Sequence, residues 1–528
     1  MLRSAIAAGA LGVLTWSAAA QNPVRWQADH FTLTDGLPMT VTEFINGQWV
    51  TQTLLDPIAV HSISADGQWF AGSAFATQDR RPFRYTPDGS GGWTLDIVLG
   101  IQGFNGDVEA LSISSTGAMG GYGLRDAEPG VERPRAMNAA GEPGHTLRHP
   151  DGQDGQGCAT SIVRYVPFED PGAPERDEAC TDLDRAVGYL VDYIGERRAA
   201  VWGPYDTNES APKATFLPVN DPGAPSEAVA QSQWTQVVGY QSGQACLWTY
   251  TPDAFGECRE GSWQVELLPT PAGSTSRALD ISNTDTNAGL GLEAVIVGSE
   301  TTADGAQRAM RWTFDAGEMA WAATSLAPAD SVWSTARAVD HCGNVLVHAT
   351  YEVDGPVYSM IVDAETGLAH EFGARNVLGL AETDHIVLTD FSDLAHRFVG
   401  LAYAADGSSR PIVVEPECPE DIDDDGEIGF SDLIRVLADW MITCQNTDID
   451  GSRVTDFTDL LRVLTNWGPC GVGGGPDPLP DPDPDPKPDP KPDPKPDPKP
   501  DPKPYPKPDP EPREGGEEGK GGGGVIES

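Results

Sequence analysis

Residues 421–432 read Asp-Ile-Asp-Asp-Asp-Gly-Glu-Ile-Gly-Phe-Ser-Asp. Carboxylates recur at alternate places and once more at the end. A hard cation such as calcium takes about six to eight oxygens, and a twelve-residue loop supplies them from positions 1, 3, 5, 7, 9 and 12. Here those positions are Asp421, Asp423, Asp425, the carbonyl of Glu427, a water beside Gly429, and Asp432. Gly426 stands at the sharp turn, where a Cβ is costly. Ile428 is apolar and suits a short strand paired with a partner loop. A merely solvated acidic run would need neither the glycine nor the apolar residue, so calcium is the expected cofactor.

The block recurs 27 residues on, where Phe457-Thr458-Asp459-Leu460-Leu461-Arg462-Val463-Leu464 matches Phe430-Ser431-Asp432-Leu433-Ile434-Arg435-Val436-Leu437, and Trp467 matches Trp440. Counting back gives a second loop at 448–459, with Asp448, Asp450, Ser452, the carbonyl of Val454, Asp456 and Asp459 as ligands. Ser452 replaces a carboxylate and Arg453 stands where glycine is expected, so this loop should bind more weakly. Each loop must be positioned by the helix that follows it. In the first, Leu433, Val436, Leu437 and Trp440 share a helical face that predicts burial.

Two calcium loops, each followed by one helix and lacking a leading helix, resemble the tandem EF-hand-like repeats of a type I dockerin over residues 418–470. The resemblance implies calcium-dependent folding and docking onto a cohesin-like protein or another cell-surface protein. It assigns partner contact to Phe430, Ser431, Phe457 and Thr458, with Arg435 and Arg462 nearby. Phenylalanine departs from the polar residue usual at the first of these loop positions. Filling the small core is the alternative role for Phe430 and Phe457.

Residues 22–415 carry a different pattern. Short apolar runs broken by Gly, Asp, Pro and Ser mark an all-β region. A repeat begins with turns such as Ser62-Ile63-Ser64-Ala65-Asp66-Gly67 and ends in strands such as Arg81-Pro82-Phe83-Arg84-Tyr85 and Ala309-Met310-Arg311-Trp312-Thr313. Seven closing strands can be placed, ending at Pro411-Ile412-Val413-Val414. The pattern resembles the extracellular HAF-type repeats over much of 55–415. Short β units cannot bury their own faces, and radial stacking solves that. A seven-bladed β-propeller is therefore the expected fold, with a β-sandwich or two smaller sheets as the alternative. The chain is expected to be mainly β, with a small helical module and a disordered tail. Trp202, Trp248 and Trp312 fall at equivalent places, as repeated core residues should.

The chain's 528 residues carry 80 acidic and 34 basic side chains, a net charge of −46. Such a surface repels phosphate backbones and anionic lipid, which argues against nucleic-acid and membrane-surface partners, and no segment after residue 20 is long and apolar enough to insert in a membrane. Residues 1–20 read as a secretory signal: Arg3, an apolar run from Ala5 to Trp16, and Ala18-Ala19-Ala20 before Gln21. The mature protein is expected outside the cell or at its surface, with the periplasm as the alternative. Of eight cysteines, Cys158–Cys180 and Cys246–Cys258 are the local pairings to expect, and Cys418, Cys444 and Cys470 flank the module. Connectivity is not fixed by sequence. The tail at 471–528 opens with glycines and alternates proline with Asp, Lys or Glu, which favours an extended polyproline spacer.

No nucleophile elbow, zinc-protease helix or phosphate loop occurs. The expectation is a secreted, non-catalytic calcium-binding protein. Its module docks to a protein, and its propeller binds a ligand, with polysaccharide as the candidate, or serves as a scaffold. The alternative is a dockerin-bearing glycoside hydrolase or polysaccharide lyase whose active site lies on the propeller. Carboxylates gathered at one mouth of the channel would favour that alternative.

Overall fold

The computed structural model describes residues 31–470 apart from 35–36, 46–47, 77–78, 90–91, 99–106, 126–127, 138–144, 166–182, 206–211, 234–235, 253–260, 284–293, 365–366, 373–376, 379–384, 393–396, 417, 424, 443–446 and 451–453. The expected signal and tail, and with them Cys180, Cys258, Cys444, Ser452 and Arg453, lie outside the described residues.

Blades occupy residues 55–97, 108–146, 157–216, 226–267, 275–325, 333–372 and 385–416, and within each the strands pair in chain order. Buried apolar clusters lie between neighbouring blades. One joins Phe70 and Tyr85 of the first blade to Val399 and Val413 of the last, which closes the ring. The protein is a seven-bladed β-propeller, as the sequence predicts.

The last blade has only three strands from its own stretch of chain. Its fourth strand is Phe31–Thr34, antiparallel to Ser409–Pro416 with Phe31 opposite Pro416 and Thr34 opposite Val413, and the two-residue strand Val377–Leu378 adds in parallel beyond it. The seven predicted closing strands all fall on third strands, such as Asp79–Pro87 and Gln307–Asp315. Several fourth strands, Gly261–Leu267 and Ala320–Ser325 among them, escape a sequence reading because they are exposed and carry little apolar alternation, although Trp93–Ile97 of the first blade alternates and is buried.

The innermost strand of every blade carries a β-bulge at the same place. A bulge adds one unpaired residue and re-aims its side chain. The extra residues include His61, Leu279, Arg337 and Thr389, on the strand that faces the central channel. Opposite the bulge, six of the seven blades place a glycine on the second strand, Val347 being the exception. The cause is steric. A Cβ on Gly298 would lie 2.0 Å from the carbonyl oxygen of Arg277, and one on Gly239 the same distance from that of Glu227.

Third strands knit the blades together. The backbone N–H groups of Ala199, Ala245 and Ala309 donate to the hydroxyls of Ser226, Ser276 and Ser334 in the following blade, at 2.9 to 3.0 Å. Trp202, Trp248 and Trp312 are fully buried, and each indole N–H donates to a backbone carbonyl, of Arg148, Pro218 and Pro269. They are core residues, as expected. Cys158 and Cys246 correct the cysteine reading: both are free, buried thiols. Cys246 packs in the apolar layer with Val237 and Trp248, where its sulfur is a core atom.

Candidate metal centre

The module holds two nine-residue helices, α1 (Phe430–Ala438) and α2 (Phe457–Thr465). Ile422, Ile428 and Val436 from the first half meet Ile449 and Val463 from the second, with Leu433 and Leu460 partly buried against them. A disulfide joins Cys418 to Cys470, with Cα atoms 5.9 Å apart, so the two ends of the module are covalently tied.

Each loop is organised by its last carboxylate. Asp432 Oδ1 accepts from the N–H groups of Ile422 and Asp423 at 2.7 and 3.2 Å, and Oδ2 accepts from Gly429 at 2.7 Å. Asp459 repeats this with Ile449, Asp450 and Asp456 at 2.7, 3.0 and 2.8 Å. Both carboxylates are fully buried at the start of a helix, where the peptide dipoles favour negative charge. The first carboxylate closes the turn: Asp421 accepts from Asp425 and Gly426 at 3.2 and 2.9 Å, and Gly426 adopts a φ of +86°, which only glycine takes without strain.

These bonds gather charge. Carboxylate oxygens of Asp421, Asp423 and Asp425 lie within 4.8 Å of one another, and so do those of Asp448, Asp450 and Asp459. Asp423 Oδ1 is buried and has no hydrogen-bond partner. Burial, with repulsion from Asp450, pushes the Asp459 carboxyl above its ordinary range against the backbone donors that favour its ionised form. Carboxylates crowded at such distances repel unless a cation stands among them. The oxygen-only donor sets fit a hard divalent cation.

Other predicted ligands fall into place unevenly. Glu427 begins a short strand, its N–H bonded to Asp425 Oδ1 at 2.9 Å. Asp456 Oδ1 caps α2 by accepting from Thr458 at 2.7 Å. The predicted pairing of one loop with the other is corrected. Ile428 pairs with Gly468, beyond α2. Thr455, at the same place in the second loop, exchanges backbone bonds with Met441 and Ile442, beyond α1. Each loop is thus tied to the chain leaving the other loop's helix, in a pseudo-twofold arrangement.

The partner-contact residues divide. Phe430 and Phe457 are 68% and 60% exposed, so neither fills the core. Ser431 and Thr458 are also exposed. Arg435 and Arg462 instead brace the loops, each donating to the carbonyl of the loop's second residue, Ile422 at 2.9 Å and Ile449 at 3.1 Å. Leu437 and Trp440, predicted buried, are exposed as well. The small core is filled by Val436, Val463 and the three isoleucines, so a second apolar edge faces out. It runs along Phe430, Ile434 and Leu437 on α1 and Phe457, Leu461 and Leu464 on α2. The three-to-four-residue spacing of these apolar side chains is legible in the sequence; which of the two edges is buried is not.

The propeller channel carries carboxylates too. Asp390 Oδ2 accepts from the Ile63 N–H at 3.0 Å, and Asp280 Oδ2 from that of Val339 at 2.8 Å. Each anchors the innermost strand of the following blade. Burial pushes the Asp390 carboxyl up to about 6.

No family model matches the chain, and no curated protein does. Solved structures similar to it include the β-propeller domain of the Trilobed protease from Pyrococcus furiosus, 9% identical, covering 67% of this chain and 95% of that one, with a TM-score of 0.36. An oligogalacturonate lyase in complex with manganese is 11% identical, covers 74% and 98%, and has a TM-score of 0.37. A Trypanosoma rangeli sialidase in complex with sialic acid is 10% identical, covers 78% and 61%, and has a TM-score of 0.35. Among the described residues no helix is long and apolar enough to cross a membrane.

Proposed function

We propose that residues 418–470 are a calcium-dependent docking module of dockerin type, carried by a secreted, non-catalytic protein whose propeller binds a ligand or serves as a scaffold. One observation carries the calcium reading: two groups of three carboxylates stand in repeated loops whose last aspartates make the same three backbone bonds. Asp421, Asp423, Asp425, Asp432 and the Glu427 carbonyl hold the first ion. Asp448, Asp450, Asp456, Asp459 and the Val454 carbonyl hold the second. The ion neutralises carboxylates that would otherwise repel, so the loops and their helices set firmly only with it bound.

The exposed edge of α1 and α2 supports docking. Phe430 and Phe457 project at equivalent places beside Ser431 and Thr458, and aromatic anchors dominate protein interfaces. A cohesin-like or other cell-surface protein is the partner this reading names.

Titration calorimetry of the full chain with calcium tests it. Two bound ions are expected, and Asp421→Ala removes the tighter one. Calcium should also raise the melting temperature of the module's transition, because a ligand that binds only the folded state stabilises it by mass action. A chain that takes up no calcium, or an Asp421→Ala variant with unchanged stoichiometry, would refute the assignment. Docking is checked separately: a purified partner should be retained in calcium, released by chelator, and lost in the Phe430→Ser, Phe457→Ser double variant.

A further inference from the structure

The mouth of the channel where the innermost strands begin holds a cavity of about 400 Å³ between the fifth and sixth blades. This is the size of a small-molecule site. Its wall includes Arg277, Arg337, Trp333, Thr335, Thr301 and Gln307. Against a net charge of −46, a cavity with two arginines is an exception that local structure must explain.

Both guanidinium groups lack a carboxylate partner among the described residues. Arg277 lies over the ring of Tyr240, 4.1 Å from its centroid, which fixes the plane of its fork. Glu227, which accepts from the Tyr240 hydroxyl at 2.9 Å, is engaged by Arg197 at 3.0 Å. Arg337 is the extra residue of the sixth blade's bulge, so the backbone itself turns it toward the channel. Its positive charge helps keep the buried ring of His348, on the same wall, neutral. Asp390, the carboxylate on which that charge also bears, is bound to the Ile63 N–H of the next blade.

A further polar group is left over. Thr335 Oγ1 is buried in the cavity wall without a hydrogen-bond partner, in a residue only 4% exposed. A buried hydroxyl without a partner is unfavourable, and a ligand hydroxyl would supply one.

We propose that this cavity binds the acidic sugar residue of a uronic-acid-bearing saccharide. The planar carboxylate lies against the forks of Arg277 and Arg337. Ring hydroxyls meet Thr335, Thr301 and Gln307, and Trp333 gives an apolar face. Guanidinium forks match carboxylates in two-point geometry, and the many neutral donors and acceptors suit a polyhydroxylated ring. This deepens the ligand-binding role of the propeller and does not depend on calcium at the module.

Calorimetry on the full chain tests it with five probes: a galacturonate oligosaccharide, a glucuronate oligosaccharide, the methyl-esterified form of each, and inorganic sulfate. Each is run with calcium and again with chelator. An acidic oligosaccharide should bind in both buffers, and esterification should abolish binding. Arg337→Gln and Arg277→Gln should each weaken it by about ten-fold or more, the worth of a charge-assisted bond, and Thr335→Val by less. Melting curves of the variants establish that the propeller is folded. Equal binding of acid and ester, unchanged affinity in folded arginine variants, sulfate binding as tight as the saccharide, or no saccharide binding at millimolar concentration would each overturn the proposal. Binding that vanishes only with chelator would place the ligand on the module and overturn it too.

Discussion

Gly298 shows how a single hydrogen atom in place of a methyl can be required. The bulge across from it pushes the Arg277 carbonyl into the space a Cβ would fill. Gly298→Ala should therefore destabilise the fifth blade by about 1–3 kcal/mol, the usual range for overpacking. Gly305→Ala, in an open turn, should act only through its positive φ. Urea melts of the two variants compare them. A Gly298→Ala protein as stable as the parent would refute the steric account. His348 gives a second test. Burial, with the charge of Arg337 adding, lowers its pKa from the ordinary 6.5 to about 4. Its neutral ring therefore contributes stability that is present above pH 6.5 and lost as pH falls through about 4, on the order of 3 kcal/mol in full. Asp390, raised from 3.8 to about 6, runs the other way: its ionisation costs stability as pH rises through that window. His348→Gln should flatten the fall in melting temperature between neutral pH and pH 4. An unchanged slope would show that the histidine titrates freely.

At the scale of elements, the module was the most legible part of the sequence, and for a local reason. Its carboxylates, its turn glycine and its helices lie within one short run, so spacing alone places Asp421, Asp423, Asp425 and Asp432. What spacing does not reveal is which of two apolar edges a short helix buries. Val436 and Val463 win because Ile422, Ile428 and Ile449 come to meet them across the pseudo-twofold axis, and those contacts are not local. The bond from Cys418 to Cys470 spans 52 residues of chain. In the chain-entropy account such a closure contributes about 4 kcal/mol. A Cys418→Ser, Cys470→Ser double variant should thus need more calcium to reach the same module stability, measured by thermal melts over a calcium series. Identical melts at every calcium concentration would show that the ion alone holds the ends together.

At the scale of the whole molecule, the count of seven blades could be read because one strand of each repeats a short apolar run, centred in four of them on Tyr85, Trp202, Trp248 or Trp312. The ring's closure could not, because Phe31–Thr34 has no repeat partner in sequence and pairs with residues at the opposite end of the domain. A variant beginning after residue 36 should lose the fourth strand of the last blade. It should melt at lower temperature, with hydrogen exchange rising first along Ser409–Pro416. Uniform protection of that strand would show that the latch is dispensable. The latch also sets an order of events in biosynthesis. The four residues that fasten the ring emerge first, yet their partner strand is made only after six other blades. Until then the growing chain is an open stack with two unpaired faces, and the fastening step has a long loop to close before it gains anything.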